Sequence, residues 1–191
     1  GQFTQVSDQS RAFSRVSSEI ERMESLIHDL LLLAELGESK PVNFAEVDFD
    51  ELVKAHLNDF QVLNTSRTVT TAIPDDCFVQ GSRDHLSRLI QNCLSNILRH
   101  TPSDAPVSVS LRNIGKRAEL RIEDGGPGLP DSAYGSEIKF MNRFDPSRSR
   151  ESGGSGLGLS IIAAIVQEHN GELELSKSQL GGLAVTIRIP I

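Results

Sequence analysis

The chain of 191 residues has no tryptophan, one tyrosine, two cysteines and no long apolar run. Its uninterrupted hydrophobic stretches, such as Leu30 to Ala34 and Ile161 to Val166, fall far short of the ~18 residues a bilayer-spanning helix needs. Cys77 and Cys93 form no CxxC pair and sit among apolar residues. They read as small core side chains in a reducing compartment, not as zinc ligands or a disulfide framework. Positive charge is scarce too, with 19 Lys and Arg against 26 Asp and Glu and a net charge of −7. That balance argues against nucleic acid as the main partner, since phosphate-backbone affinity rests on clustered cations. A local basic pocket remains open. The chain also opens on Gly1 where an initiator Met would stand, which reads as a piece of something longer.

What is present suffices for a core. A hydrophobic share of 38% together with 15 glycines is ordinary for a globular chain and excludes wholesale disorder. The length suits one domain of about 150 residues with an appendage of about 40, or one larger domain.

The appendage is visible at the start. Phe13, Val16, Ile20, Met23, Ile27, Leu30 and Ala34 alternate at spacings of three and four, the heptad seam of a helix that packs along a partner. A lone surface helix docked on its own domain is the competing reading. Gly37 ends the helix, and Pro41 keeps the following linker extended. Asp48 is a candidate N-cap for a helix to about Leu63. Two short strands are expected near 69–73 and 77–81, with the turn at Pro74-Asp75 between them. A second helix is expected over about 84–100, with Leu86, Leu89, Ile90, Cys93, Leu94, Ile97 and Leu98 inward and Thr101-Pro102 as its stop.

Strict alternation follows. Val107, Val109 and Leu111, then Ala118, Leu120 and Ile122, form a hairpin about a turn at 113–116. Leu173 and Leu175, then Val185, Ile187 and Ile189, repeat the pattern. A sheet with one dry face takes helices on one side only, so the fold class is α/β, a two-layer sandwich preceded by a long coiled-coil-like helix. Between Pro130 and Leu157 lies a Ser-, Gly-, Arg- and Asp-rich stretch, too long for an ordinary connection. It reads as a lid or, alternatively, as a disordered insertion.

Three elements carry chemistry. Asn92, Asn96 and Arg99 share one face of the second helix. Asn is a poor mid-helix residue, yet its amide oxygen suits Mg²⁺, and Arg99 suits phosphate. Asp124-Gly125-Gly126-Pro127-Gly128 closes a strand with a carboxylate able to accept from an exocyclic amine such as the N6 group of adenine. Gly153-Gly154-Ser155-Gly156-Leu157-Gly158-Leu159-Ser160 precedes a helix containing Ile161, Ile162, Ile165 and Val166. A glycine-rich loop at a helix N-terminus favours anions. No Lys closes that loop, so it is not a P-loop, and it follows no strand, so it is not a dinucleotide fingerprint.

Taken in order, these segments resemble the boxes of bacterial sensor histidine kinases. Leu94-Ser95-Asn96 with Arg99-His100-Thr101-Pro102 is similar to the asparagine box, Asp124 to Gly128 to the first glycine box, Phe140 to Arg148 to the phenylalanine box, and Gly153 to Ser160 to the second glycine box. The resemblance covers about 46–191 and implies the Bergerat-type ATP-binding fold of the gyrase, Hsp90, histidine kinase and MutL superfamily. It implies ATP and Mg²⁺ as cofactors, with Asn96 as the metal ligand and Asn92, Arg99 and His100 around the ion and phosphates. Asp124 would bind adenine, with Gly126 and Gly128 shaping its pocket. Gly154, Ser155, Gly156, Leu157 and Gly158 would cradle phosphate or hinge a lid at about 131–155. Arg143, Arg148 and Arg150 would be lid cations for the γ-phosphate. Residues 1–36 resemble the second helix of the family's dimerisation and phosphotransfer hairpin, with 37–45 as linker.

The family's acceptor motif does not occur here. His28 is followed by Asp29-Leu30-Leu31-Leu32, matching a non-acceptor place, so the acceptor is expected upstream of Gly1 and the fragment is expected to bind ATP without phosphorylating itself. The remaining implications are a homodimer through the first helix, a response-regulator receiver domain as partner, and a cytoplasmic location beneath a membrane anchor. Another ATPase or serine kinase of the superfamily, and a non-catalytic nucleotide-binding dimerisation module, are the rival readings.

Overall fold

The structure is a computed structural model that describes residues 2–37, 44–131, 134 and 157–191. It divides into two units, Gly1–Glu38 and Ser39–Ile191. The first is a single helix, α1 (Gln2–Gly37), about 54 Å long at 1.5 Å per residue. Phe13, Val16, Ile20, Met23, Ile27 and Leu30, the seam read from the heptads, are each at least half exposed. Among the described residues, no helix is long and apolar enough to cross a membrane.

The second unit contains β1 (Ala45–Asp48), α2 (Phe49–Leu63), β2 (Val69–Ala72), β3 (Phe78–Gly81), α3 (Arg83–His100), β4 (Val107–Ile114), β5 (Arg117–Asp124), α4 (Gly158–Glu168), β6 (Glu172–Lys177) and β7 (Leu183–Pro190). A five-stranded mixed sheet runs β2-β4-β5-β7-β6, with β2 parallel to β4 and the other pairs antiparallel. β1 and β3 form a separate antiparallel pair. The two strands expected on either side of Pro74-Asp75 therefore belong to different sheets, and β1 was not anticipated. Period-2 patterning identifies a strand, but not its partner.

The elements start where the chemistry favours them. Asp48 has extended backbone, and its Oδ1 accepts from the Glu51 N–H at 3.0 Å, capping α2. Asp50, itself buried, accepts from the Cys77 N–H at 2.8 Å and from Lys54 Nζ at 2.9 Å, fastening α2 to the chain entering β3. Ser82 caps α3, which starts at Arg83, one residue before the expected start at about 84. Arg99 and His100 in its last turn complement the negative end of the helix dipole. Gly115 in the β4–β5 turn has φ +60°, a conformation glycine adopts without strain.

The core lies on the face of the sheet formed by Val109, Leu111, Leu120, Ile122, Ile187 and Ile189. Against it sit Leu86, Leu89 and Ile90 of α3 and Ile161, Ile162 and Ile165 of α4, all essentially inaccessible. Each fully buried side chain of this size stabilises by roughly 1.5–3 kcal/mol relative to exposure. Leu98, expected among the inward residues of α3, is instead 45% exposed. Cys77 and Cys93 are free and buried, and burial pushes their thiols up to about 11 and about 12.

The opposite face is less wet than alternation implies. Glu119 is nearly inaccessible there, held by Arg112 at 2.8 Å and Arg188 at 2.6 Å, and Arg188 also reaches Glu174 at 3.1 Å. The two arginines hold the Glu119 carboxyl below its ordinary range against the opposing effect of burial.

Candidate functional site

The polar face of α3 and the first residue of α4 meet closely. The Asn92 amide donates to the Arg88 carbonyl at 2.9 Å, leaving its oxygen turned toward α4. A Cβ placed on Gly158 would stand 2.8 Å from Asn96 Oδ1 and 3.3 Å from Asn92 Oδ1. A larger residue at 158 would have to displace the Asn96 amide. Leu157, directly before it, is buried with the core, and its carbonyl accepts from the Ile161 N–H at 2.9 Å as the helix begins.

Asp124 ends β5 and is 7% exposed. Its Oδ1 accepts from the Gly126 N–H at 2.8 Å and the Leu183 N–H at 3.3 Å. Two backbone donors on one oxygen fix the carboxylate's orientation. The loop around it is tightly enclosed. A Cβ on Gly126 would lie 2.5 Å from the Thr101 methyl, and one on Gly182 would overlap Asp124 Oδ1. Gly128 has φ +70°, and a Cβ there would meet the Tyr134 hydroxyl at 2.7 Å. That hydroxyl accepts from the Leu129 N–H at 2.7 Å.

These pieces surround one cavity of about 240 Å³. Asn96, Arg99 and His100 wall one side and Asp124 and Gly128 the other, with Gly158 and Leu159 at the mouth of α4. The sequence-derived residues Asn96, Arg99, His100, Asp124, Gly128 and Gly158 are thus brought together at the cavity, with Asn92 beside Gly158 and Gly126 behind Asp124. Gly154, Ser155, Gly156, Arg143, Arg148 and Arg150, and most of the expected lid, lie outside the described residues. Sequence reasoning missed Gly182 and Leu183 opposite Asp124, and treated Thr101 chiefly as a helix stop. The Gly181-Gly182 pair directly before the last strand was the available signal.

The donor set suits a hard divalent cation sharing its coordination with phosphate. Among the described residues, no group of three or more His, Cys, Asp or Glu is placed to hold a metal ion. Two amide oxygens at an anion-favouring helix N-terminus match Mg²⁺, which keeps waters and substrate oxygens as ligands.

The other end of α3 is closed. The His169 Nδ1–H donates to the Ile165 carbonyl at 2.8 Å, and Nε2 accepts from the Ser82 N–H at 3.1 Å. Phe44 stacks on the ring at 4.7 Å. His169 directly follows the last residue of α4 and is buried, and burial lowers its pKa. His85 pairs with Glu168 at 2.6 Å beside it.

The model of the histidine kinase-, DNA gyrase B- and HSP90-like ATPase family matches residues 81–191. The probable sensor histidine kinase TcrY of Mycobacterium tuberculosis is 33% identical over 95% of this chain and 38% of its own length. The signal transduction histidine-protein kinase BaeS of Escherichia coli is 31% identical over 100% of this chain and 43% of its own. The chain thus spans about two fifths of these curated relatives. The solved mycobacterial sensor histidine kinase MprB superposes with a TM-score of 0.66 at 29% identity, covering 78% of this chain and 97% of that one. The chain belongs to the histidine kinase-, DNA gyrase B- and HSP90-like ATPase family.

Proposed function

We propose that this chain is the ATP-binding kinase core of a sensor histidine kinase, passing the γ-phosphoryl of ATP to a histidine and thence to an aspartate on a response-regulator receiver domain. The observation that carries the reading is the convergence of Asn96, Arg99, Asp124 and Gly158 on one cavity. Asp124, with Oδ1 occupied by two backbone donors, keeps acceptor capacity for the adenine amine. Asn96 and Asn92 would hold Mg²⁺, which when bound neutralises phosphate charge. Arg99 and His100 border the phosphates, and the α4 N-terminus adds its positive dipole end. Arg143, Arg148 and Arg150 are proposed as lid cations.

Transfer requires little covalent chemistry from these residues, whose task is positioning and charge neutralisation. A lone pair on a neutral imidazole nitrogen forms the N–P bond while the bond from the γ-phosphorus to the β–γ bridging oxygen breaks and ADP departs. The imidazole's remaining N–H proton passes to a base beside the acceptor. The acceptor is proposed to lie on a separate helix of the intact protein, which α1 would join in a homodimeric bundle, on the cytoplasmic side of a membrane anchor. The exposed seam of α1 supports that role.

The test is transfer in trans from γ-labelled ATP to a polypeptide carrying a family acceptor helix. Acid-labile, base-stable label on its histidine is expected. Transfer to serine instead, or no transfer with ATP bound, would sink the kinase reading.

A further inference from the structure

Arg67, between α2 and β2, is a cation only 8% exposed. Its Nη1 donates to Thr101 Oγ1 at 2.8 Å and to the Ala105 carbonyl at 3.4 Å, and its Nη2 donates to the Thr101 carbonyl at 3.4 Å. No ion pair joins it to a carboxylate among the described residues. Its charge meets carbonyl and hydroxyl dipoles at the C-terminus of α3, where the macrodipole is negative. The neighbouring Ser66 hydroxyl donates to the Ser103 carbonyl at 2.8 Å, tying the same two loops together.

The clamped segment, 101–106, is the wall behind the glycine turn of the cavity. The Thr101 methyl closes on Gly126, the Pro106 ring closes on Gly125, and the Gly125 N–H donates to the Pro106 carbonyl at 2.9 Å. Gly126 in turn donates to Asp124 Oδ1. Thr101 and Asp124 both line the cavity. A continuous set of short contacts therefore runs from the Arg67 guanidinium to the carboxylate placed for the base.

We propose that Arg67 is a positioning residue for nucleobase recognition: by fixing Thr101 and the 101–106 wall, it holds the Gly125-Gly126 turn and so the acceptor oxygen of Asp124. It touches no nucleotide itself. The inference rests on the nucleotide reading above and adds a specificity determinant to it. A carboxylate accepts from the adenine amine and opposes the carbonyl that guanine carries at the same place, so loosening the wall erodes the preference for adenine first.

The test measures ADP and GDP affinities and the unfolding midpoint for wild type, Arg67→Met and Arg67→Lys, at a temperature where all are folded. Arg67→Met is expected to weaken ADP about tenfold and GDP no more than twofold. Arg67→Lys, keeping one donor, is expected to fall between Arg67→Met and wild type. A role in stability alone would lower the midpoint and leave the ADP-to-GDP ratio at its wild-type value, which would overturn the proposal. Should Arg67→Met not fold, a wild-type ratio in Arg67→Lys overturns it equally. Failure of the wild type to bind ADP would remove the nucleotide reading and this inference with it, an outcome distinct from unchanged specificity in the variants.

Discussion

The two ends of α3 are built to opposite purposes. At its N-terminus Ser82 caps the helix, His169 accepts from the Ser82 N–H, and Phe44 stacks over the His169 ring. A Cβ on Gly81 would meet the same ring at 2.7 Å. At its C-terminus Asn96, Arg99 and His100 face a cavity, and glycines stand where the start of α4 and the turn after β5 come near. One end is closed by mutual contact; the other is held open by rigid surroundings. Polar groups at the closed end bond one another, whereas those at the open end line a cavity and are proposed to meet a ligand.

The sharpest way to break this contrast is to exchange effects between the ends. Asp124→Ala removes the acceptor of two backbone donors and, on the proposed reading, of the adenine amine. Its ADP affinity, read by calorimetry, is expected to fall about a thousandfold, roughly 4 kcal/mol. His169→Ala removes a buried ring and leaves the Ser82 N–H without its acceptor. It is expected to cost about 3 kcal/mol in urea unfolding while ADP affinity stays within twofold. If Asp124→Ala lost stability but kept affinity, or His169→Ala did the reverse, the division of labour would be wrong.

Acid provides a gentler probe of the closed end. Burial lowers the folded-state pKa of His169, with the Ile165 carbonyl and Glu168 partly opposing the shift and His85 adding to it. Above about pH 6.5 the imidazole is neutral in both folded and unfolded states. As pH falls below that value the unfolded chain takes up the proton first, so stability declines. Urea midpoints are expected to drop between pH 7.5 and 5.5, and less steeply in His169→Gln. His56, lowered likewise by burial, leaves a residual slope in the variant. An identical slope in both proteins would count against a buried neutral His169.

Much of the open end was legible in the sequence because its chemistry is local. Asn92, Asn96 and Arg99 share a helical face by spacing alone, and the turn after Asp124 carries its glycines in a row. The closed end was not legible, because His169 and Ser82 are 87 positions apart and nothing in a single histidine announces burial. Gly182 and Arg67 escaped for the same reason: each matters through a neighbour distant in sequence. Leu98 was misread because an apolar residue at the margin of a helical stripe fits either side of it. The sheet faces followed from alternation, but β1 and the placing of β2 and β3 in different sheets depend on pairing that period-2 patterns do not encode.

The measurement that bears most directly on the open end is the equilibrium affinity for ATP, with and without Mg²⁺, of wild type and Asn96→Ala. The account predicts that Mg²⁺ tightens ATP binding to the wild type at least tenfold and leaves Asn96→Ala almost unaffected, with the two proteins alike in the absence of the ion. Equal affinity in all four cases would contradict the role given to Asn96 and, with it, the purpose assigned to the open end of α3.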